Sequence, residues 1–222
     1  MKRRGLFASF AGFTSDEGPV CKPHPGSPGA AQFTNALLLT HENRQVKFYD
    51  DLIMGRQVII NMMYATCEGG CPIVTSKLVQ VHQALKDRMG KDLFMYSITL
   101  KPEEDDPAAL KRFAEMHGAL LPGWTFLTGD PYDIETIRFR LFNERHIKFD
   151  VDLDFHTGQL RLINDATNRW RHVSPYARVE TILSRISWTD PVKSFEERFE
   201  ENKLLQEKID EEVKLYGYRR TV

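Results

Sequence analysis

Between Gln57 and Ala65 the chain carries Val58, Ile59, Ile60, Met62, Met63 and Tyr64 with no charged residue among them. An apolar run that does not alternate is the pattern of a strand covered on both faces, so the rest of the chain must supply cover for two sides of a sheet. The segment Thr66-Cys67-Glu68-Gly69-Gly70-Cys71-Pro72 follows directly, and after Pro72 the apolar residues Val74, Leu78, Val81 and Leu85 recur at helical spacing toward Gly90. Strand, cysteine loop and helix in that order predict a βα unit with two thiols at the strand's end.

The flanking segments extend the same alternation. Ala36–Leu39 and Val46–Tyr49, on either side of His41-Glu42-Asn43-Arg44, read as a β-hairpin. Leu93–Leu100 reads as a second buried strand, and Asp105-Asp106-Pro107 starts a helix through Leu110, Phe113 and Met116 to Gly118. Trp124–Leu127 reads as a short strand and Asp133–Phe142 as a helix. Ile147–Phe155 and Gln159–Ile163 read as two strands turning at His156-Thr157-Gly158, and Pro175–Ile186 supplies a last domain helix. The predicted fold is α/β, with helices on both faces of one sheet.

The 222 residues divide into three parts: a leader and linker over 1–31, a globular domain over 32–188, and a charged tail over 189–222. Met1-Lys2-Arg3-Arg4 followed by the apolar stretch to Phe13 reads either as a short export signal or as an unstructured leader. The stretch from Gly18 to Gly29, rich in proline and glycine and holding Cys21 and His24, reads as a linker. The tail mixes acids and bases around Phe195, Phe199, Leu205, Ile209, Val213 and Tyr216, which fits a helix with a thin apolar stripe. Such a helix packs along the domain or makes a partner or dimer contact.

With 30 basic and 31 acidic residues the formal net charge is -1, and there is no global basic field to favour nucleic acid. Charged residues interrupt every apolar window before it reaches the ~20 residues of a membrane span. Three cysteines, Cys21, Cys67 and Cys71, are too few and of the wrong parity for a disulfide-stapled scaffold, so the pair in the loop is available for chemistry.

A strand-to-helix loop suits thiol chemistry because the free N–H groups and positive dipole end of the helix stabilise thiolate. Gly69 and Gly70 let the loop fold back so that both sulfurs face one point. Such a pair can close a disulfide, hold a soft metal ion, or do both. Two thiolates with one imidazole make a three-coordinate soft set suited to Cu(I), with Cu(II) needing a weak axial group, whereas zinc asks for a fourth firm ligand. Among seven histidines, His41, His82 and His117 read as surface residues and His24 as part of the linker. His156, in a turn between two strands, is the preferred third ligand, with His146 and His172 as alternatives.

Phe48-Tyr49-Asp50-Asp51-Leu52, Cys67 to Pro72, Ser97-Ile98-Thr99-Leu100-Lys101-Pro102 with Asp106-Pro107, Gly123 to Gly129, and His156-Thr157-Gly158 occur in the order seen in the SCO/SenC family, which the chain resembles from Phe33 to Ser187. The resemblance implies a thioredoxin-like fold with an N-terminal β-hairpin, an inserted β-hairpin and a C-terminal helical extension. It also implies copper bound by Cys67, Cys71 and His156, delivery to cytochrome c oxidase or a related respiratory copper enzyme, and an extracytoplasmic, periplasmic location. Here Phe155 precedes the histidine, with Asp154 one residue earlier, and Lys101 stands where the family usually has aspartate.

Two functions follow as expectations. The first is a copper metallochaperone that passes its ion to a respiratory enzyme subunit or another cysteine-bearing target by ligand exchange. The second is a thiol-disulfide oxidoreductase in which Cys67 and Cys71 are the catalytic pair. No proline occurs between Pro131 and Pro175, where a thioredoxin-like reductant places its substrate-gripping proline, and this favours metal binding. A peroxidase would be built around a single nucleophilic cysteine, which the paired loop argues against.

Overall fold

A computed structural model describes residues 33–142 and 159–191, together with Lys203 and Glu207. Seven strands form one sheet: β1 (Leu37–Thr40), β2 (Gln45–Lys47), β3 (Gln57–Met63), β4 (Leu93–Thr99), β5 (Trp124–Gly129), β6 (Leu160–Asn164) and β7 (Arg169–Val173). Their order across the sheet is β2-β1-β5-β4-β3-β6-β7. The helices are α1 (Gly70–Ala84), α2 (Pro107–Met116), α3 (Pro131–Phe142) and α4 (Val179–Ser187). β3, β4 and β5 run parallel, while β6 is antiparallel to β3 and β1 is antiparallel to β5. This is the thioredoxin-like α/β sheet expected from the sequence.

Every residue of β3 is buried, and its side chains divide between two cores by the two-residue period of a strand. Ile59 and Met63 pack with Val74, Leu78 and Val81 of α1, Leu110 and Phe113 of α2, and Ile182 and Ile186 of α4. Val58, Ile60 and Met62 face the other way, against Phe48, Leu52 and Ile53 and against Ile134, Ile137 and Leu141 of α3. The unalternating run therefore marks the strand with a helical layer on each side. Asn61 is buried in the same strand but satisfied: Ser97 Oγ donates to its Oδ1 at 2.7 Å and itself accepts from Trp124 Nε1 at 2.9 Å.

Several boundaries move. The expected strand Val46–Tyr49 stops at Lys47, where the backbone N–H donates to Asp51 Oδ2 at 2.6 Å and a π-helical segment begins, Phe48–Ile53. Phe48, Tyr49, Leu52 and Ile53 are all buried, a helical spacing that overrides the local strand propensity. α1 starts at Gly70 rather than after Pro72, which places Cys71 inside the first turn, with the proline where its missing N–H costs nothing. The strand expected over Gln159–Ile163 is β6, with one edge on β3 and the other on β7, a strand that Arg169–Val173 gives little sign of. Residues 147–155 and the His156-Thr157-Gly158 turn lie outside the described residues.

His82, expected at the surface, is buried, and its Nε2 lies 2.8 Å from the Pro122 carbonyl. It continues the inward stripe Cys71, Val74, Thr75, Leu78, Val81 of α1, so its position on the helix, not its polarity, decided its burial. His41 Nδ1 accepts the Phe126 N–H at 3.2 Å, and burial holds its pKa below the ordinary histidine value.

Tyr96 of β4 is fully enclosed. Burial pushes its phenol from 10.0 up to about 12, with the nearby Arg56 guanidinium partly opposing. A raised folded-state value means that the neutral phenol's contribution is complete below about pH 10 and is lost as pH climbs through about 12. Denaturant unfolding across that window is expected to show wild type losing up to roughly 3 kcal/mol more than Tyr96→Phe. Equal alkaline losses would mean that another group governs the limb.

The chain separates into two compact units, Met1–Thr189 and Asp190–Val222, and in the second the described Lys203 and Glu207 are helical. Among the described residues no helix is long and apolar enough to cross a membrane.

Candidate metal centre

β3 delivers the chain to the site, and α1 carries it away. After Met63 the backbone turns through Tyr64-Ala65-Thr66, where the Cys67 N–H donates to the Tyr64 carbonyl at 3.3 Å. The Cys71 N–H, in the first turn of α1, donates to Cys67 Sγ at 3.4 Å. The orphan N–H that begins the helix is thereby used to hold sulfur, as the strand-to-helix placement predicts. Cys67 is 7% exposed and Cys71 1%, and both are free thiols.

Their environments push them apart. Burial alone would raise Cys67, but donors from Cys71, the Tyr64 side chain and the Gly69 N–H together bring it below the ordinary thiol value. Burial pushes the Cys71 thiol up to about 12; the Tyr64 N–H opposes this, while the hydrogen bond to Cys67, the Cys67 charge and the Asp105 carboxylate reinforce it. Cys67 is thus the more acidic of the two thiols, and Cys71 the one that holds its proton more tightly. Alkylation with iodoacetamide near neutral pH should label Cys67 in preference to Cys71, with Cys71 reacting only as pH approaches about 12. Fragment mass spectrometry would read the two positions separately, and equal labelling near neutral pH would contradict the asymmetry.

A second loop closes against the first. The side chain of Asp106 caps α2, accepting from the Ala109 N–H at 2.6 Å. Its neighbour Asp105 is instead fully buried: its Oδ2 accepts from the Ala65 N–H at 2.9 Å and from Thr99 Oγ1 at 2.5 Å. The sequence reading assigned both acids to the helix start and missed Asp105 as part of the site. The available signal was that only one of two consecutive aspartates can cap a helix. Lys101 lies over the Tyr64 ring at 4.8 Å and pairs with Glu104 at 3.3 Å, and Glu104 Oε2 lies 3.5 Å from Thr66 Oγ1.

Of the three expected ligands, Cys67 and Cys71 come together at one helix start, whereas His156 lies outside the described residues, as do His146, Cys21 and His24. The alternative His172 is exposed on β7. Among the described residues no cluster of three or more histidine, cysteine, aspartate or glutamate side chains forms. Two adjacent sulfurs of unequal acidity are a donor pair for a soft metal ion and equally a pair that can close a disulfide.

A thioredoxin-like sheet that carries a free dithiol where a central strand meets a helix defines the class of fold and site to which this chain is compared. Residues 27–189 match the SCO1/SenC family, and the chain belongs to that family. It is 30% identical over 77 residues to the SCO1 protein homolog of Bacillus subtilis (strain 168), a match covering 35% of this chain and 39% of that protein's length. Its fold resembles BsSco, a member of the Sco family of cytochrome c oxidase assembly proteins, with TM-score 0.59 and 22% identity over 71% of this chain and 92% of that one. It also resembles yeast Sco1 with copper bound, with TM-score 0.54 and 20% identity over 72% of this chain and 96% of the other.

Proposed function

We propose that this chain is a copper-binding metallochaperone for the assembly of a respiratory copper enzyme, with Cys67, Cys71 and His156 as ligands. The observation that carries the reading is the hydrogen-bonded dithiol at the start of α1, with the Cys71 N–H on Cys67 Sγ at 3.4 Å. Thiolate sulfur suits Cu(I), and a protein of the same fold, yeast Sco1, has been solved with copper on it. BsSco is described as one of the cytochrome c oxidase assembly proteins, which supports a recipient of that kind. The ion is cargo: it is held at the strand-to-helix loop and passed on by stepwise exchange with cysteines of the recipient. The basic, twin-arginine start at Arg3-Arg4 supports work outside the cytoplasm.

Loading with Cu(I) and Cu(II), compared between wild type and His156→Ala, tests the ligand set. His156→Ala is expected to keep Cu(I) on two sulfurs with affinity weakened about tenfold or more, and to lose tight Cu(II) binding. Copper binding identical to wild type would remove His156 from the site.

The split between an activated Cys67 and a protonated Cys71 favours a second reading, thiol-disulfide oxidoreductase chemistry. The disulfide switch described for BsSco supports it in the same way. A chain that takes up no copper yet reduces a model disulfide would establish this second reading over the first.

A further inference from the structure

Only Tyr64, Ala65 and Thr66 separate the end of β3 from Cys67, so the sulfurs are placed no better than these three residues are held. The Leu100 N–H donates to the Met63 carbonyl at 2.7 Å and extends the β3–β4 pairing by one bond. Two residues on, the Ala65 N–H is met by a side chain instead and donates to Asp105 Oδ2 at 2.9 Å. From there the bonds run on into the site: the Tyr64 carbonyl accepts the Cys67 N–H at 3.3 Å, and Cys67 Sγ accepts the Cys71 N–H at 3.4 Å. Asp105 therefore stands at the head of the bonds that hold the dithiol loop.

Folding does not explain this aspartate. It is fully buried, both of its bonds fall on Oδ2, and Oδ1 has no hydrogen-bond partner among the described residues. A buried carboxylate with one oxygen unpaired costs stability, and such a local conflict marks a functional position more often than a structural one. Helix capping gives no reason for it, because Asp106 caps α2. The other links between the two loops, Glu104 to Thr66 Oγ1 and Lys101 over the Tyr64 ring, engage side chains, whereas Asp105 holds backbone from inside. Thr99, also fully buried, fixes where the carboxylate sits: its hydroxyl donates to Oδ2 and accepts the Lys101 N–H at 2.9 Å.

We infer that Asp105 is a positioning residue for the dithiol: by holding the Ala65 N–H it fixes the Tyr64–Cys67 turn, and with it the placement of Cys67 Sγ against Cys71. The inference deepens the copper-transfer reading and rests on it for the identity of the ion, but what Asp105 positions is the sulfur pair, so it acts in disulfide chemistry as well. Groups that orient metal ligands from outside set affinity because the ligands then spend little free energy on reaching the bound geometry.

The test measures Cu(I) affinity by chelator competition on the full chain, as wild type, Asp105→Ala, Asp105→Asn and Thr99→Val. Asp105→Ala is expected to bind about tenfold or more weakly, and Thr99→Val about threefold or more weakly. Asp105→Asn keeps an oxygen for both donors and should recover most of the loss, though a neutral acceptor holds less firmly than a charged one. Gln57→Ala, at the opposite end of β3, removes the bond to Thr189 Oγ1 at 2.8 Å and measures what lost stability does by itself. Its folded form should keep an affinity within about threefold of wild type, since no ligand's surroundings change. Wild-type affinity in Asp105→Ala, no recovery in Asp105→Asn, or an equal loss in Gln57→Ala would overturn the assignment. Should Asp105→Ala not fold, Thr99→Val decides: wild-type affinity there overturns it.

If wild type takes up no copper, the metallochaperone reading fails, and the positioning is read from thiol exchange with glutathione instead. Cys67 and Cys71 are oxidised to one disulfide while one glutathione disulfide is reduced to two thiols. Sulfurs that are held less closely together close the bond less readily, so the equilibrium constant should fall at least about threefold in Asp105→Ala, with Asp105→Asn between it and wild type. An unchanged or larger constant in Asp105→Ala would overturn the assignment without any metal.

Discussion

Cys67→Ser and Cys71→Ser are each expected to weaken Cu(I) binding by more than about a hundredfold, beyond the cost of losing an outer partner of a metal ligand. A serine hydroxyl is a hard, protonated oxygen at neutral pH and does not replace a thiolate on a soft ion. The two variants should differ in stability. Cys71 is 1% exposed beneath the apolar face of α1, so a hydroxyl there loses hydration and costs about 1–3 kcal/mol unless it finds a partner. Cys67 lies at the loop, where serine can still accept the Cys71 N–H, and its variant should melt close to wild type. Chelator competition with thermal unfolding on the same samples reads both effects. Affinity within about threefold of wild type in a folded Cys67→Ser protein would sink the thiolate-ligand assignment, on the scale of a first-ligand loss.

Gly123→Ala is expected to be the most damaging single-methyl change in the domain. Gly123 has φ +73, and a Cβ built there would lie 2.2 Å from the Gly90 nitrogen and 2.7 Å from its Cα. The obstacle is backbone, and it belongs to another left-handed glycine, Gly90, at φ +76. The Gly123 carbonyl also accepts the Met95 N–H at 2.8 Å, so any retreat pulls on the β4–β5 pairing. Left-handed strain of about 1–2 kcal/mol and a forced separation of about 1–3 kcal/mol add to roughly 4 kcal/mol. For a domain of this size that is a fall in melting temperature of about 10 °C. Gly118→Ala, also at positive φ but with nothing within 4 Å of the added carbon, is the control and should lose only the backbone term. Equal losses in the two variants would show that the close approach at Gly90 costs nothing.

Much of the fold was legible because the sequence signals were strong where burial is two-sided. The unbroken apolar run of β3 announced a strand between two layers, and both cores are built on its alternate faces. The cysteine loop was equally legible: two thiols with intervening glycines, placed after that strand, had one plausible geometry. The misread elements share a cause, which is that their character is fixed by distant partners. Phe48–Ile53 coils because Phe48, Tyr49, Leu52 and Ile53 are all drawn into the core on one side of the sheet. Arg169–Val173 is a strand because β6 lies beside it, though its own residues are mostly polar and half-exposed. His82 is buried because the helix that carries it turns that face inward toward Pro122.

The sequence alone determined that the chain builds a two-sided α/β sheet, that a reactive dithiol stands where a central strand meets a helix, and that its motifs run in SCO/SenC order. Hydrophobic period and residue type are local properties, and those conclusions needed nothing more. Only the tertiary structure decided that Cys67 and Cys71 are chemically unequal, and that Asp105 turns in to hold the Ala65 N–H beside the site while Asp106 caps α2. Each of these depends on burial and on contacts between residues far apart in the chain. Thr99 and Ala65 reach Asp105 across strand ends, and thiol ionisation responds to that assembled environment rather than to neighbours in sequence.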